Sequence, residues 1–148
     1  MRRLFALPLL LAATAPAGFQ PGRWLVSSEP ATATLNGRPL GDLPYQAPTE
    51  PQYLCLTPTQ VADAAAWLTH DAAADCTLTR RSLASGRVNL TGSCAPVSPG
   101  ASRGTVSFTG RWTPTSYRVR FATTTASENG VMGFSGVLTG RRVGECAG

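Results

Sequence analysis

The side chains able to do chemistry in this 148-residue chain are four cysteines, one histidine, eight carboxylates and thirteen basic residues. Every basic residue is arginine. His70 is the only histidine. A catalytic imidazole needs a nucleophile or a metal beside it, and Asp71 and Asp75 make with His70 too thin a set for an ion. A histidine just past a helix C-terminus has a plainer role, interacting favourably with the helix dipole. Gly133-Phe134-Ser135-Gly136 lacks the final glycine spacing of a nucleophile elbow. The chain has no phosphate loop and no G-x-G-x-x-G, and Asn89-Leu90-Thr91 fits the glycosylation triplet by chance inside an expected strand. These residues predict a protein that is not an enzyme and takes no cofactor and no metal. The arginines offer different chemistry. Arg111, Arg118, Arg120 and Arg141 sit in alternating segments, and a row of guanidinium forks would take phosphate or carboxylate groups by bidentate contacts. A solvated face built from arginine in place of lysine is the competing account of the same row.

The cysteines, Cys55, Cys76, Cys94 and Cys146, bear on the compartment. Their spacing includes no C-x-x-C, which argues against a four-thiolate zinc site. Their even number in an exported chain argues for two disulfides. Export itself is read from the N-terminus. Arg2 and Arg3 precede an apolar run from Leu4 to Ala13, and Ala15-Pro16-Ala17 is a small-x-small cleavage site. The run of about ten residues falls well short of the ~20 that span a bilayer, and no later stretch is long enough. We therefore expect residues 1–17 to be a signal peptide cleaved near Ala17. Residues 18–148 then form one domain, periplasmic or secreted, without a transmembrane segment. Loss of Arg2 and Arg3 leaves eleven arginines against eight acids, a net +3. That mild charge does not point to nucleic acid.

The elements that must position these residues follow from periodicity and turn chemistry. Residues 23–28 alternate as a first strand ending at Pro30. Asn36-Gly37 marks the tip of a short hairpin, and the rest of 31–51, rich in Pro and Gly, reads as loop. Thr57-Pro58-Thr59-Gln60 is a capping box with proline at the first helical position. It predicts a helix to about Leu68 with Val61, Ala64, Ala65 and Leu68 on one face. Residues 76–83 and 87–94 pair about Ser85-Gly86, which sets Cys76 opposite Cys94 and Arg80 opposite Leu90. Opposed Cβ atoms stand ~4.5–5.5 Å apart, close enough for a bridge. Cys76–Cys94 is therefore expected, and Cys55–Cys146 follows by elimination. Residues 104–112 and 116–125 flank Thr113-Pro114-Thr115, and Asn129-Gly130 leads into a last strand ending near Cys146. Gly133, Gly136 and Gly140 in that strand suggest bulges or strong bending. Symmetric pairing about both turns puts Arg111 opposite Arg118 and Arg118 opposite Arg141, with Arg120 two residues along on the same face. Trp24, Phe108, Trp112, Tyr117, Phe121 and Phe134 read as core, either filled or lining an apolar pocket. The predicted fold is mainly β (α+β). A curved antiparallel sheet, half-barrel or barrel-like, packs on one short helix with two disulfides.

Several segments together resemble a bacterial family, domain of unknown function 3617. They are Pro21-Gly22-Arg23-Trp24, Cys55-Leu56-Thr57-Pro58, Asp75-Cys76-Thr77-Leu78-Thr79-Arg80, Gly86 to Cys94 with Pro96 soon after, Thr113-Pro114-Thr115-Ser116-Tyr117, and Gly140-Arg141-Arg142-Val143-Gly144-Glu145-Cys146. The likeness spans nearly all of the expected mature chain. It implies an exported, envelope-associated protein and carries over no activity or catalytic residue. The chain departs from the family pattern in having few methionines in its last strands, where many relatives look Met-rich. Charge, compartment and missing catalytic motifs together predict a non-catalytic periplasmic binding module for an anionic or amphiphilic envelope molecule. The alternative is a protein-interaction or inhibitor module of the cell envelope.

Overall fold

A computed structural model describes residues 18–41, 50–70, 75–96 and 102–147. The expected signal peptide, its cleavage point after Ala17, and Asp71 lie outside the described residues. In chain order the elements are β1 (Gly22–Ser28), β2 (Thr32–Leu35), β3 (Arg38–Pro39), β4 (Gln52–Leu56), α1 (Pro58–Ala62), α2 (Ala64–Thr69), β5 (Cys76–Ser82), β6 (Arg87–Cys94), β7 (Gly104–Thr113), β8 (Ser116–Ser127) and β9 (Gly130–Gly144). The strands form one open antiparallel sheet in the order β3-β2-β9-β8-β7-β6-β5, and β1 also pairs with β9 and carries β4. β9 organises the sheet. One edge pairs with the whole of β8, from Gly130 to Arg141, and the other is shared between β1 and β2.

Turn chemistry accounts for the short connections. Asn36 and Gly37 adopt φ of 52° and 77°, and Ser85 and Gly86 adopt 53° and 69°, the paired left-handed conformations of tight hairpins. The capping box forms as expected, with Thr57 accepting from the Gln60 amide and the Gln60 side chain accepting from the Thr57 amide at 2.9 Å. The single expected helix is broken in two at Asp63, which has φ −111° and ψ 67°. Its carboxylate accepts the Ala66 amide at 3.1 Å and takes Arg81 of β5 at 2.6 Å. An aspartate that can bond to backbone amides favours a cap over a helix interior, so α1 ends and α2 begins on the same residue. β4 has no counterpart among the expected elements. Its sequence, Gln-Tyr-Leu-Cys-Leu, does not alternate, and only Leu56 in it is buried.

The concave face of the sheet and α2 enclose the core. Trp24, Leu90, Val106, Phe108 and Val119 are fully buried. Tyr117 and Phe121 are buried, and Trp112 and Phe134 pack at the margin, so the expected core residues take their places. Aromatic rings cluster in the interior. Phe19, just ahead of β1, sits with its centroid 5.5 Å from Trp24, 5.4 Å from Trp67, 5.1 Å from Trp112 and 6.1 Å from Tyr117. These separations suit edge-to-face aromatic packing. The indole N–H groups of Trp24 and Trp112 donate to the Gln20 and Leu83 carbonyls at 3.0 and 3.1 Å. Rings from β1 and β7, three strand steps apart, both reach Phe19, which reflects the curvature of the sheet.

Both disulfides form as expected, Cys76–Cys94 within the β5–β6 hairpin and Cys55–Cys146 between β4 and the chain following β9. Two local expectations are corrected. A bulge between Leu78 and Arg80 sets Arg81, not Arg80, opposite Leu90, and Arg80 opposite Thr91. The shift turns Arg80 outward and aims Arg81 at Asp63. The glycines of β9 do not mark bulges against β8, since that register runs unbroken from Ser116↔Arg141 to Ser127↔Gly130. Gly140 faces Tyr117 and Gly136 faces Phe121. A Cβ at Gly136 would lie 2.7 Å from Phe121 Cε1, and one at Gly140 would collide with the Tyr117 ring. Absent side chains there make room for opposing rings.

Candidate functional site: an arginine row on the outer sheet face

Side chains alternate across the sheet, so the residues between the buried ones of β6, β7 and β8 all point away from the core. On β6 that outward set includes Arg87, Asn89 and Thr91. On β7 it is Ser107, Thr109 and Arg111, and on β8 it is Arg118 and Arg120. Pairing then fixes their neighbours: Arg87 lies opposite Arg111, and Arg111 opposite Arg118. Three arginines therefore stand side by side across three adjacent strands, and all three are exposed. The row continues onto β9 and β1 as hydroxyls, with Thr139 opposite Arg118 and Ser27 opposite Thr139. Ser27 Oγ and Thr139 Oγ1 are 3.0 Å apart. Two residues along each strand, on the same face, Asn89, Thr109 and Arg120 form a parallel row.

The expected pairing of Arg111 with Arg118 is present. The expected pairing of Arg118 with Arg141 is not: Arg141 lies opposite Ser116. The β8–β9 hairpin turns at Glu128-Asn129, so the register is displaced by two residues and Arg141 keeps its face while losing its neighbour. The cause lies on β2's hairpin. Asn36 donates its backbone N–H to the Val131 carbonyl at 2.8 Å, and its side chain accepts the Val131 amide at 2.8 Å. Gly130, at φ 119°, packs on that side chain and so serves as the first residue of β9, outside the turn. Arg87 was not expected in the row. The connection from β6 to β7 has no tight-turn signature, so nothing local sets that register.

Like charges directly opposed across strands destabilise a sheet unless an anion joins them. One is present within the chain. Glu29, whose backbone N–H donates to Val137 O at 2.8 Å, takes Arg118 in a fork-to-fork contact, Nη1 to Oε1 and Nη2 to Oε2, the second at 3.1 Å. The hydrogen bond from Arg118 holds the Glu29 carboxyl below its ordinary value, aided by the charges of Arg118 and Arg120. The same contact raises Arg118. The other ion pairs among the described residues, Arg81–Asp63 and Arg142–Glu145, involve no other arginine of this face. Arg87, Arg111, Arg120 and Arg141 have no carboxylate partner among the described residues.

The other chemically capable residues are dispersed. His70 caps the C-terminus of α2 and donates its backbone N–H to Trp67 O at 3.3 Å. Asp75 is exposed beside β5. Ser135 lies in mid-strand on β9, opposite Ala122, and not on an elbow. Asn89 is on a strand with Leu90 buried beside it. Among the described residues no three metal-binding side chains cluster, and no helix is long and apolar enough to cross a membrane. Among the described residues the exposed large apolar side chains are Leu40, Tyr53, Leu54, Val131, Met132 and Val143. They stand around β3 and β4 and at the two ends of β9, and none is on β6, β7 or β8.

Comparison with known proteins gives one match. The model of a protein family of unknown function, DUF3617, matches residues 19–146. No curated protein and no solved structure matches the chain. The match covers nearly the whole chain, which therefore belongs to the DUF3617 family.

Proposed function

We propose that this DUF3617 protein is a non-catalytic binding module of the bacterial envelope, exported and periplasmic or secreted. Its working surface is the outer face of β6, β7 and β8, and its ligands are envelope molecules bearing phosphate or carboxylate. The observation that carries the reading is the direct opposition of Arg87, Arg111 and Arg118. A folded chain tolerates such a row more readily when an anion bridges it. Glu29 illustrates the chemistry by occupying Arg118 bidentately. Arg120 and Arg141 flank the row on the same face and extend the positive field. Disulfide pairing of all four cysteines supports the exported compartment, because such bridges persist where conditions are oxidising.

The test is binding of two anionic probes, phosphatidylglycerol vesicles and oligogalacturonate, to the mature protein and to Arg87→Glu and Arg111→Glu. The reading expects binding of at least one probe to weaken with salt and to be lost on charge reversal. Binding of both probes left unchanged by either reversal overturns it. The compartment has its own check. Material from a periplasmic fraction should begin at Gly18 on N-terminal sequencing, and a chain still beginning at Met1 would contradict export.

A second reading, a protein-interaction module, draws on the apolar margin. Leu40, Val131 and Met132 are exposed near a depression lined by Ala33, Met132, Gly133 and Phe134. Capture of an envelope protein that is lost with Met132→Asp but kept with Arg111→Glu would favour that reading.

A further inference from the structure

The geometry points to an extended carboxylated polysaccharide, lying across β6, β7 and β8, as the ligand of the arginine row. This rests on the anion-binding reading above and narrows it from any anionic envelope molecule to a uronate-bearing glycan.

Three features of the face select that class. The first is the array of neutral groups among the charges. Asn89, Thr109 and Ser107 share the outer face with the row, where they can exchange hydrogen bonds with sugar hydroxyls. A bare electrostatic patch for a membrane has no use for them. The second is the absence of apolar anchors. Among the exposed large apolar residues, none lies on these three strands, whereas surfaces that bury into a bilayer present Trp, Phe or Leu beside their basic residues. The outer face of a curved sheet is also convex, so a planar bilayer would meet few of its strands at once and a polymer can follow it. The third is the contact already made. Arg118 holds the Glu29 carboxylate through both nitrogens, and a uronic acid presents the same group. Opposed Cβ atoms stand ~4.5–5.5 Å apart, a step on the scale of one sugar ring. Successive uronates can therefore engage Arg87 and Arg111, and a third displaces Glu29 from Arg118.

The experiment measures affinities of the mature protein for galacturonate monomer, oligogalacturonate, its methyl ester and phosphatidylglycerol vesicles. The variants are Arg87→Gln, Arg111→Gln, Glu29→Gln and the pair Asn89→Ala with Thr109→Val. All these side chains are solvent-exposed or half-exposed, and circular dichroism and melting temperature confirm that each variant folds. The expected result is oligomer binding far above monomer and ester. Each Arg→Gln change should weaken it by roughly three- to tenfold, the uncharged pair should weaken it without altering the salt dependence, and Glu29→Gln should strengthen it.

Three results overturn the inference in distinguishable ways. Vesicle binding that needs the arginines, with no oligomer binding, sinks the glycan and keeps the anion reading. Oligomer binding indifferent to the Asn89/Thr109 pair reduces recognition to bulk charge and sinks it likewise. Indifference of both probes to the arginine variants removes this inference and the reading beneath it together.

Discussion

Glu29 joins charge and architecture in a single side chain. Its carboxyl is held below its ordinary 4.5 by the Arg118 hydrogen bond first. A carboxylate depressed in this way contributes stability that is present above its unfolded pKa. That contribution is lost as pH falls through the lower, folded value. The same protonation releases Arg118. Dextran sulfate, whose charge does not change in this range, should therefore bind more tightly as pH falls through that lowered value. Glu29→Gln should show the tight binding at all pH values and lose that increment. An equal pH response in the variant, followed by fluorescence anisotropy, would contradict the role given to Glu29. Phe19 is the second residue of consequence. It touches four other rings and is 5 % exposed, yet no periodicity marks it, because it precedes β1 by three residues. Phe19→Ala should cost roughly 3–5 kcal/mol of unfolding free energy in urea titration. A loss under about 1 kcal/mol would show that the ring cluster closes without it.

Among the elements, β9 repays most attention. Two of its glycines, Gly140 and Gly136, are places where Tyr117 and Phe121 lie across the strand. Gly140→Ala should therefore overpack the site and cost about 1–3 kcal/mol. Most of that cost should disappear on a Tyr117→Leu background. Equal cost on both backgrounds would mean that a backbone demand, and not the ring, requires glycine there. This also shows what could be read in the chain and what could not. Hairpins with two-residue turns, at Asn36-Gly37 and Ser85-Gly86, were legible because both residues adopt positive φ. The pairing of Arg111 with Arg118 was legible because Pro114-Thr115 is a symmetric turn. The β8–β9 register was not, since the turn falls on Glu128-Asn129 and Gly130 opens β9 against Asn36, far away along the chain. Nor was the place of Arg87, whose neighbour on β7 is reached through a long connection. Asp63 broke the expected helix for a reason that is local but easily passed over in sequence: its carboxylate caps Ala66 and starts a second helix, inside a run whose apolar spacing reads as continuous.

Across the whole molecule, an open sheet with a modest ring-filled core is held at both ends by cystines. Cys76–Cys94 encloses 18 residues of separation and Cys55–Cys146 encloses 91. In the chain-entropy model the longer loop contributes about 4.5 kcal/mol and the shorter about 3 kcal/mol. Replacing Cys55 and Cys146 by alanine should thus lower the melting temperature more than replacing Cys76 and Cys94. The reverse order, in calorimetry, would show that local strand geometry outweighs loop length. The fold class and both bridges were legible because they rest on alternation and on four cysteines. The outer face as one surface was not, because it depends on three registers at once. Nuclear magnetic resonance of the mature protein titrated with oligogalacturonate tests that surface most directly, through the Nε–H signals of arginines and the backbone amides. The account predicts shifts confined to Arg87, Arg111, Arg118 and their neighbours on β6, β7 and β8. Shifts centred on Ala33, Met132 and Phe134, or none at all at saturating oligomer, would contradict it.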